Sequence, residues 1–123
     1  MVDLRVHVDN KVGRANWTEE NPTTRAAIES ALPIEGNASR WGEELYFTTG
    51  IDVDAENASA TVPVGAIAYW PAGNALCIFW GPTPASEDET PRAASPVNVV
   101  AQLEDTAFLE SIDGGARVRI EQL

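Results

Sequence analysis

Ala66-Ile67-Ala68-Tyr69-Trp70 and Ala75-Leu76-Cys77-Ile78-Phe79-Trp80 flank the turn sequence Pro71-Ala72-Gly73-Asn74. Two strongly apolar strands joined by a tight turn are the simplest reading. Successive strand residues face opposite ways, so Ala66, Ala68 and Trp70 share one face and Ile67 and Tyr69 the other. In the second strand Leu76, Ile78 and Trp80 oppose Cys77 and Phe79. Both faces of both strands are apolar, so neither is suited to open water. One face should line a core, and something must cover the other.

Outward from this pair, the same period of two recurs. Val2, Leu4, Val6 and Val8 alternate with Asp3, Arg5, His7 and Asp9, and Val12 to Trp17 reads as the hairpin partner. Asn21-Pro22 opens a helix, with Asn as N-cap and Pro as first residue; Ile28, Ala31 and Leu32 share its apolar face and Pro33 stops it. Ile34 to Arg40 and Glu43 to Thr48 form a second hairpin around Trp41-Gly42. Residues 50–61 and 81–96 read as loops, the second rich in Pro, Ser, Thr and acid. Val97 to Leu103 is a strand, Thr106 to Ile112 a short helix, and Ala116 to Glu121 a last strand. No linker or repeat divides the chain, so residues 1–123 form one domain. The predicted fold is mostly β, a closed barrel of about eight strands with two short helices.

Nineteen acidic residues face eight basic ones, for a net charge of −11, and Lys11 is the only Lys. The acid is spread along the chain, not gathered in a tail. Such a surface fits a folded halophilic protein, in which salt screens the repulsion. Melting temperature is then expected to rise steadily from low to molar KCl; a flat or falling curve removes that reading. Nucleic acid and anionic membranes make poor partners for so acidic a surface. No stretch is long and apolar enough for a membrane span, and Met1 to Val8 does not resemble a signal peptide, so a cytoplasmic location is expected. One cysteine, Cys77, permits no disulfide within the chain and reads as a small core residue.

Several strings carry a resemblance. Asn21-Pro22-Thr23-Thr24, opening a helix that ends near Leu32, resembles the first helix of the cyclophilins. Asn98-Val99-Val100-Ala101-Gln102-Leu103 resembles their late strand. Three further strings are similar to those of the smaller, atypical cyclophilin-like proteins of prokaryotes. They are Arg40-Trp41-Gly42-Glu43-Glu44-Leu45-Tyr46-Phe47, Val64-Gly65-Ala66-Ile67-Ala68-Tyr69-Trp70-Pro71, and Ile78-Phe79-Trp80-Gly81-Pro82-Thr83-Pro84. The resemblance spans nearly the whole chain and implies a cyclophilin-like barrel. It does not carry over the isomerase. Where a working cyclophilin places a catalytic Arg, this chain has Glu43-Glu44-Leu45-Tyr46, and its only His is His7, in the first strand. An isomerase stabilises a twisted amide with a donor aimed at its oxygen, which a carboxylate would repel.

The expected function is therefore a binding module for a small molecule or short peptide, with no catalytic residues, no metal and no cofactor. The alternative is a weak or altered prolyl isomerase. Seven of the nine aromatics fall between Trp41 and Trp80. One of each adjacent pair must face outward, either as covered core or as the wall of a groove. The candidate binding residues are Trp41, Tyr46, Trp70 and Phe79, with Glu44, on the same strand face as Tyr46, at the edge. Thr83 and Arg92 join them from the 81–96 segment, Arg92 being the only cation between Arg40 and Arg117. Asp52-Val53-Asp54 begins like a calcium loop but has Asn57 where Gly is needed and Pro63 where Glu is needed. Three Asn-x-Ser/Thr sequons, at Asn16, Asn37 and Asn57, read as chance matches.

Overall fold

Alternating polarity becomes nine antiparallel strands in the computed structural model of the protein, which describes residues 2–123. They are β1 (Leu4–Val8), β2 (Lys11–Trp17), β3 (Ile34–Arg40), β4 (Glu44–Thr48), β5 (Ser59–Thr61), β6 (Ala66–Trp70), β7 (Ala75–Phe79), β8 (Arg92–Leu103) and β9 (Ala116–Gln122). One α-helix, α1 (Pro22–Ala31), lies between β2 and β3. The strand order is β2-β1-β9-β3-β4-β7-β6-β8-β5, and β2 pairs with β8 as well. Eight strands therefore complete a ring of hydrogen-bonded pairings, with β5 attached outside it along β8. Closure rests on Ala15, Asn16 and Trp17 of β2 opposite Leu103, Gln102 and Ala101 of β8.

The period of two sorts side chains into two clusters. Inside the ring lie Leu4, Val6 and Val8 of β1, Leu45 and Phe47 of β4, Ile67 and Tyr69 of β6, Leu76 and Ile78 of β7, and Val118 and Ile120 of β9. A smaller cluster forms on the opposite face of β6 and β7: Ala66, Ala68, Cys77 and Phe79, with Val62, Ala93, Val97 and Val99 over them. The cover required by the two-sided strands thus comes from β8 and the residues beside β5.

Several expectations are corrected. Thr106 to Ile112 does not form a helix; only a 3-10 turn, Ala107–Leu109, appears there. Asp105 takes the Ala107 N–H at 2.7 Å, and the turn seats Phe108 against Gly13, where even a Cβ would meet its ring at 2.3 Å. Residues 81–96 are not all loop, because Arg92 to Pro96 belong to β8, and residues 50–61 end in β5. Asn21 is not a side-chain cap for α1. Its amide donates to the Val99 carbonyl at 2.8 Å and its oxygen accepts the Asn57 N–H at 2.6 Å. The Glu56 carboxylate takes over the capping role, accepting the Thr23 and Thr24 N–H groups at 3.1 Å each. Burial alone would raise the Glu56 carboxyl, but these donors outweigh it and hold it below the usual range. On α1 itself Thr24 and Ile28 are buried, while Ala31 is exposed.

Candidate functional site

The outer face of β4, β7 and β6 is only partly covered. Where the cover stops, a cleft of about 260 Å³ opens between Trp41, Glu44, Tyr46, Trp70, Cys77, Ala93, Ala94 and Val97. Register explains why these side chains meet. Tyr46 lies opposite Cys77 and Glu44 opposite Phe79 in the β4–β7 pairing, and Trp70 ends β6 on the same face. The Tyr46 and Trp70 rings stand nearly perpendicular, at 81° with centroids 6.5 Å apart, and form a corner of the cleft.

Local structure holds each wall. Trp41 sits in the β3–β4 turn, and its N–H donates to the Glu44 carbonyl at 2.9 Å. Gly42 completes that turn at φ +63°, pressed so close to the next segment that a Cβ would lie 2.7 Å from the Thr83 Cα. Trp70 is pinned by its indole N–H, which donates to Ser95 Oγ at 2.6 Å. This bond also fastens the early part of β8 across the cleft. Tyr69, next in sequence, points inside the ring, where its hydroxyl donates to the Ile51 carbonyl at 2.7 Å.

Glu44 is 5% exposed, and its Oε1 is buried with no hydrogen-bond partner. Burial pushes its carboxyl up to about 7, with a smaller opposing pull from the Cys77 thiol. Cys77 is itself pushed well above the usual thiol range, first by burial and then by the adjacent Glu44. A thiol held protonated in this way is a poor nucleophile. The cleft is therefore an aromatic and aliphatic hollow with one carboxyl in its wall.

Four of the seven sequence candidates, Trp41, Glu44, Tyr46 and Trp70, line this cleft. Phe79 lies on the same strand face but is 0% exposed, packed in the outer cluster and not on the cleft wall. Thr83 is buried and ties its own segment, donating from its hydroxyl to the Arg92 carbonyl. Arg92 opens onto a separate depression with Thr61, Glu87, Asp88 and Thr90. Cys77, Ala93, Ala94 and Val97 complete the wall without having been candidates. Cys77 was detectable from its shared face with Phe79, whereas the three β8 residues lie in or just after a segment with no apolar period. Among the described residues no group of three or more His, Cys, Asp or Glu side chains is placed to hold a metal ion. No helix of the described residues is long and apolar enough to cross a membrane.

A nine-stranded antiparallel sheet with a closed ring of pairings and one helix fits the cyclophilin-like class broadly. The chain matches the cyclophilin-like family over residues 2–121 and belongs to it. It is similar to the solution structure of a hypothetical protein from Archaeoglobus fulgidus. The two are 38% identical and superpose with a TM-score of 0.82 over 99% of this chain and 95% of the other. No curated protein matches the chain.

Proposed function

We propose that this domain is a binding module whose outer cleft takes a small molecule or a short peptide segment without transforming it. The observation that carries this reading is the cleft itself: three half-buried aromatic rings around an apolar hollow, with a buried carboxyl in its wall. Concave apolar sites with few, well-placed polar groups are the usual form of a ligand pocket. A cleft without function would more simply be filled by larger residues than Ala93 and Ala94.

The competing reading is a weak or altered prolyl isomerase. It requires a donor aimed at the prolyl carbonyl oxygen. Neither Arg nor His lines the cleft, and the one charged group that does is an acid. The acidic surface supports a halophilic protein with no nucleic acid or membrane partner. The test has two arms. Amide and indole resonances of 15N-labelled protein are followed against a set of small molecules and short proline peptides. Shifts are expected to centre on Trp41, Tyr46, Trp70 and Ala93 to Val97; ligands that perturb only other surfaces overturn the assignment of the cleft. Turnover of a proline test peptide is expected at background. Activity within about a hundredfold of an ordinary cyclophilin, a difference of about 2.7 kcal/mol in barrier, establishes the isomerase instead.

A further inference from the structure

We propose that the cleft recognises an organic ammonium group bearing at least one N–H, supplied by a free alkylamine or by a lysine side chain, with the N–H donated to the Glu44 carboxylate and the charge and its alkyl stem held among Trp41, Tyr46 and Trp70. The inference rests on the binding reading above and names the chemistry of the ligand.

Four observations converge on it. Glu44 is a nearly buried carboxyl in the wall of an accessible cavity, and its inner oxygen, Oε1, has no hydrogen-bond partner in the protein. A buried polar atom left unpaired is costly, and an incoming N–H removes that penalty. The other principal walls are aromatic rings, two of them at right angles, a lining that attracts cations through the negative faces of the rings. No cationic side chain lines the cleft, so a ligand is free to supply the countercharge. The net charge of −11 raises the local concentration of cations around the whole domain. An anion fails on all four counts. A neutral alcohol can donate to the Glu44 carboxyl but makes no use of the rings' field or of a carboxylate's charge.

A pH signature follows. The groups around Glu44 are the Cys77 thiol on β7, held neutral by burial, and the Tyr46 phenol on β4. Trp41, Trp70, Ala93, Ala94 and Val97 bring no charge, and Arg92 faces the other depression with Glu87 and Asp88. Glu43, next in the chain, lies against Gly81. Glu44 is thus the group that must give up its proton when an ammonium arrives. Affinity for the ammonium then rises with pH below about 7 and levels off above it.

The probes are hexylammonium, 1-hexanol, hexanoate, hexyltrimethylammonium and Nα-acetyl-lysine amide, titrated calorimetrically and by the Trp41 and Trp70 indole resonances. Near pH 8, hexylammonium is expected to bind at least about tenfold more tightly than hexanol or hexanoate. That preference should weaken by several-fold near pH 6 and largely vanish in Glu44→Gln. The trimethyl compound, which has no N–H, should bind more weakly than hexylammonium. The acetyl-lysine amide separates the sources: equal or tighter binding points to a lysine side chain, and binding about tenfold weaker points to a free amine. Equal binding of hexanol, a preference that survives in Glu44→Gln, or a trimethyl compound that binds as well as hexylammonium overturns the ammonium proposal and leaves the binding module standing. No binding of any probe at the cleft overturns the proposal, and perturbation confined to other surfaces by every ligand set removes the binding reading too. If Glu44→Gln does not fold, the wild-type series and its pH dependence still decide the matter.

Discussion

Replacing Glu44 with glutamine is expected to flatten the upper limb of the pH–stability curve. The wild-type carboxyl is raised from 4.5 to about 7 by burial, so the folded state favours its protonated form. A group raised in this way contributes stability that is fully present below its unfolded value and is lost as pH rises through its folded value. The window is therefore about 4.5 to somewhat above 7, and the full shift corresponds to at most about 3 kcal/mol. Carboxylates that are lowered, such as Glu35 beside Arg119 and Arg117, act in the opposite sense and weaken the fold only in acid. Cys77 stays protonated throughout the window because burial holds it high. Any contribution from His7, paired with Glu121 at 2.6 Å, is common to both proteins and cancels in the difference. Urea unfolding from about pH 5 to pH 9 should show a loss of about 2–3 kcal/mol in the wild type and well under half of that in Glu44→Gln. Parallel curves for the two proteins mean that Glu44 is ionised and solvated at neutral pH, and that the carboxyl is no buried feature of the cleft.

Phe79→Ala is expected to be the more damaging substitution, at about 3–5 kcal/mol. Phe79 is wholly buried, yet it is not inside the strand ring; it anchors the smaller cluster on the outer face with Ala68, Val97 and Val99. Its neighbours are small, and β8 cannot collapse onto the vacated space without abandoning its register with β6, where Ala68 faces Val99. Most of the cavity should therefore persist, the circumstance in which truncation is most expensive. A domain of this size has total stability of the same order, about 5–15 kcal/mol, so the variant should melt far lower or fold only in part. A loss below about 1 kcal/mol means that the outer cluster is loosely held cover, in which case the cleft has no rigid floor.

The contrast between Phe79 and Trp70 shows what could be read from residues alone. Alternation assigns both to the outward face, and the structure places both there. Alternation says nothing of depth, which depends on what lies above each residue. Phe79 is roofed by Val97 and its neighbours, whereas Trp70, at the end of β6, packs edge-on against Tyr46 and is tied to Ser95 but stays half-buried. Part of that roof, Ala93, comes from a stretch without apolar period, and the pairing of β8 to β5 and β6 spans some thirty residues of sequence or more. Glu44 illustrates the same point. Its face could be inferred from Tyr46, but a Glu at the start of a strand is ordinarily solvated, and only the folded position of Trp41 and β8 buries it. The helix expected at Thr106 to Ile112 reduced to one turn because it is confined between Asp105 and the Gly114-Gly115 pair, too short a stretch to sustain several helical hydrogen bonds.

Ring closure also has a consequence for how the chain is made. β1 lies between β2 and β9, and β2 completes the circle against β8. The β1–β2 hairpin thus finds its lasting neighbours only in β8 and β9, far later in the sequence. On the ribosome, β6 and β7 emerge, apolar on both sides, before either the roof over them or the strand that seals the circle exists. Closure of the ring has to wait for β8 and β9, so folding is paced by non-local pairing. Until then the surplus of carboxylates spread along the chain is what keeps neighbouring nascent copies apart.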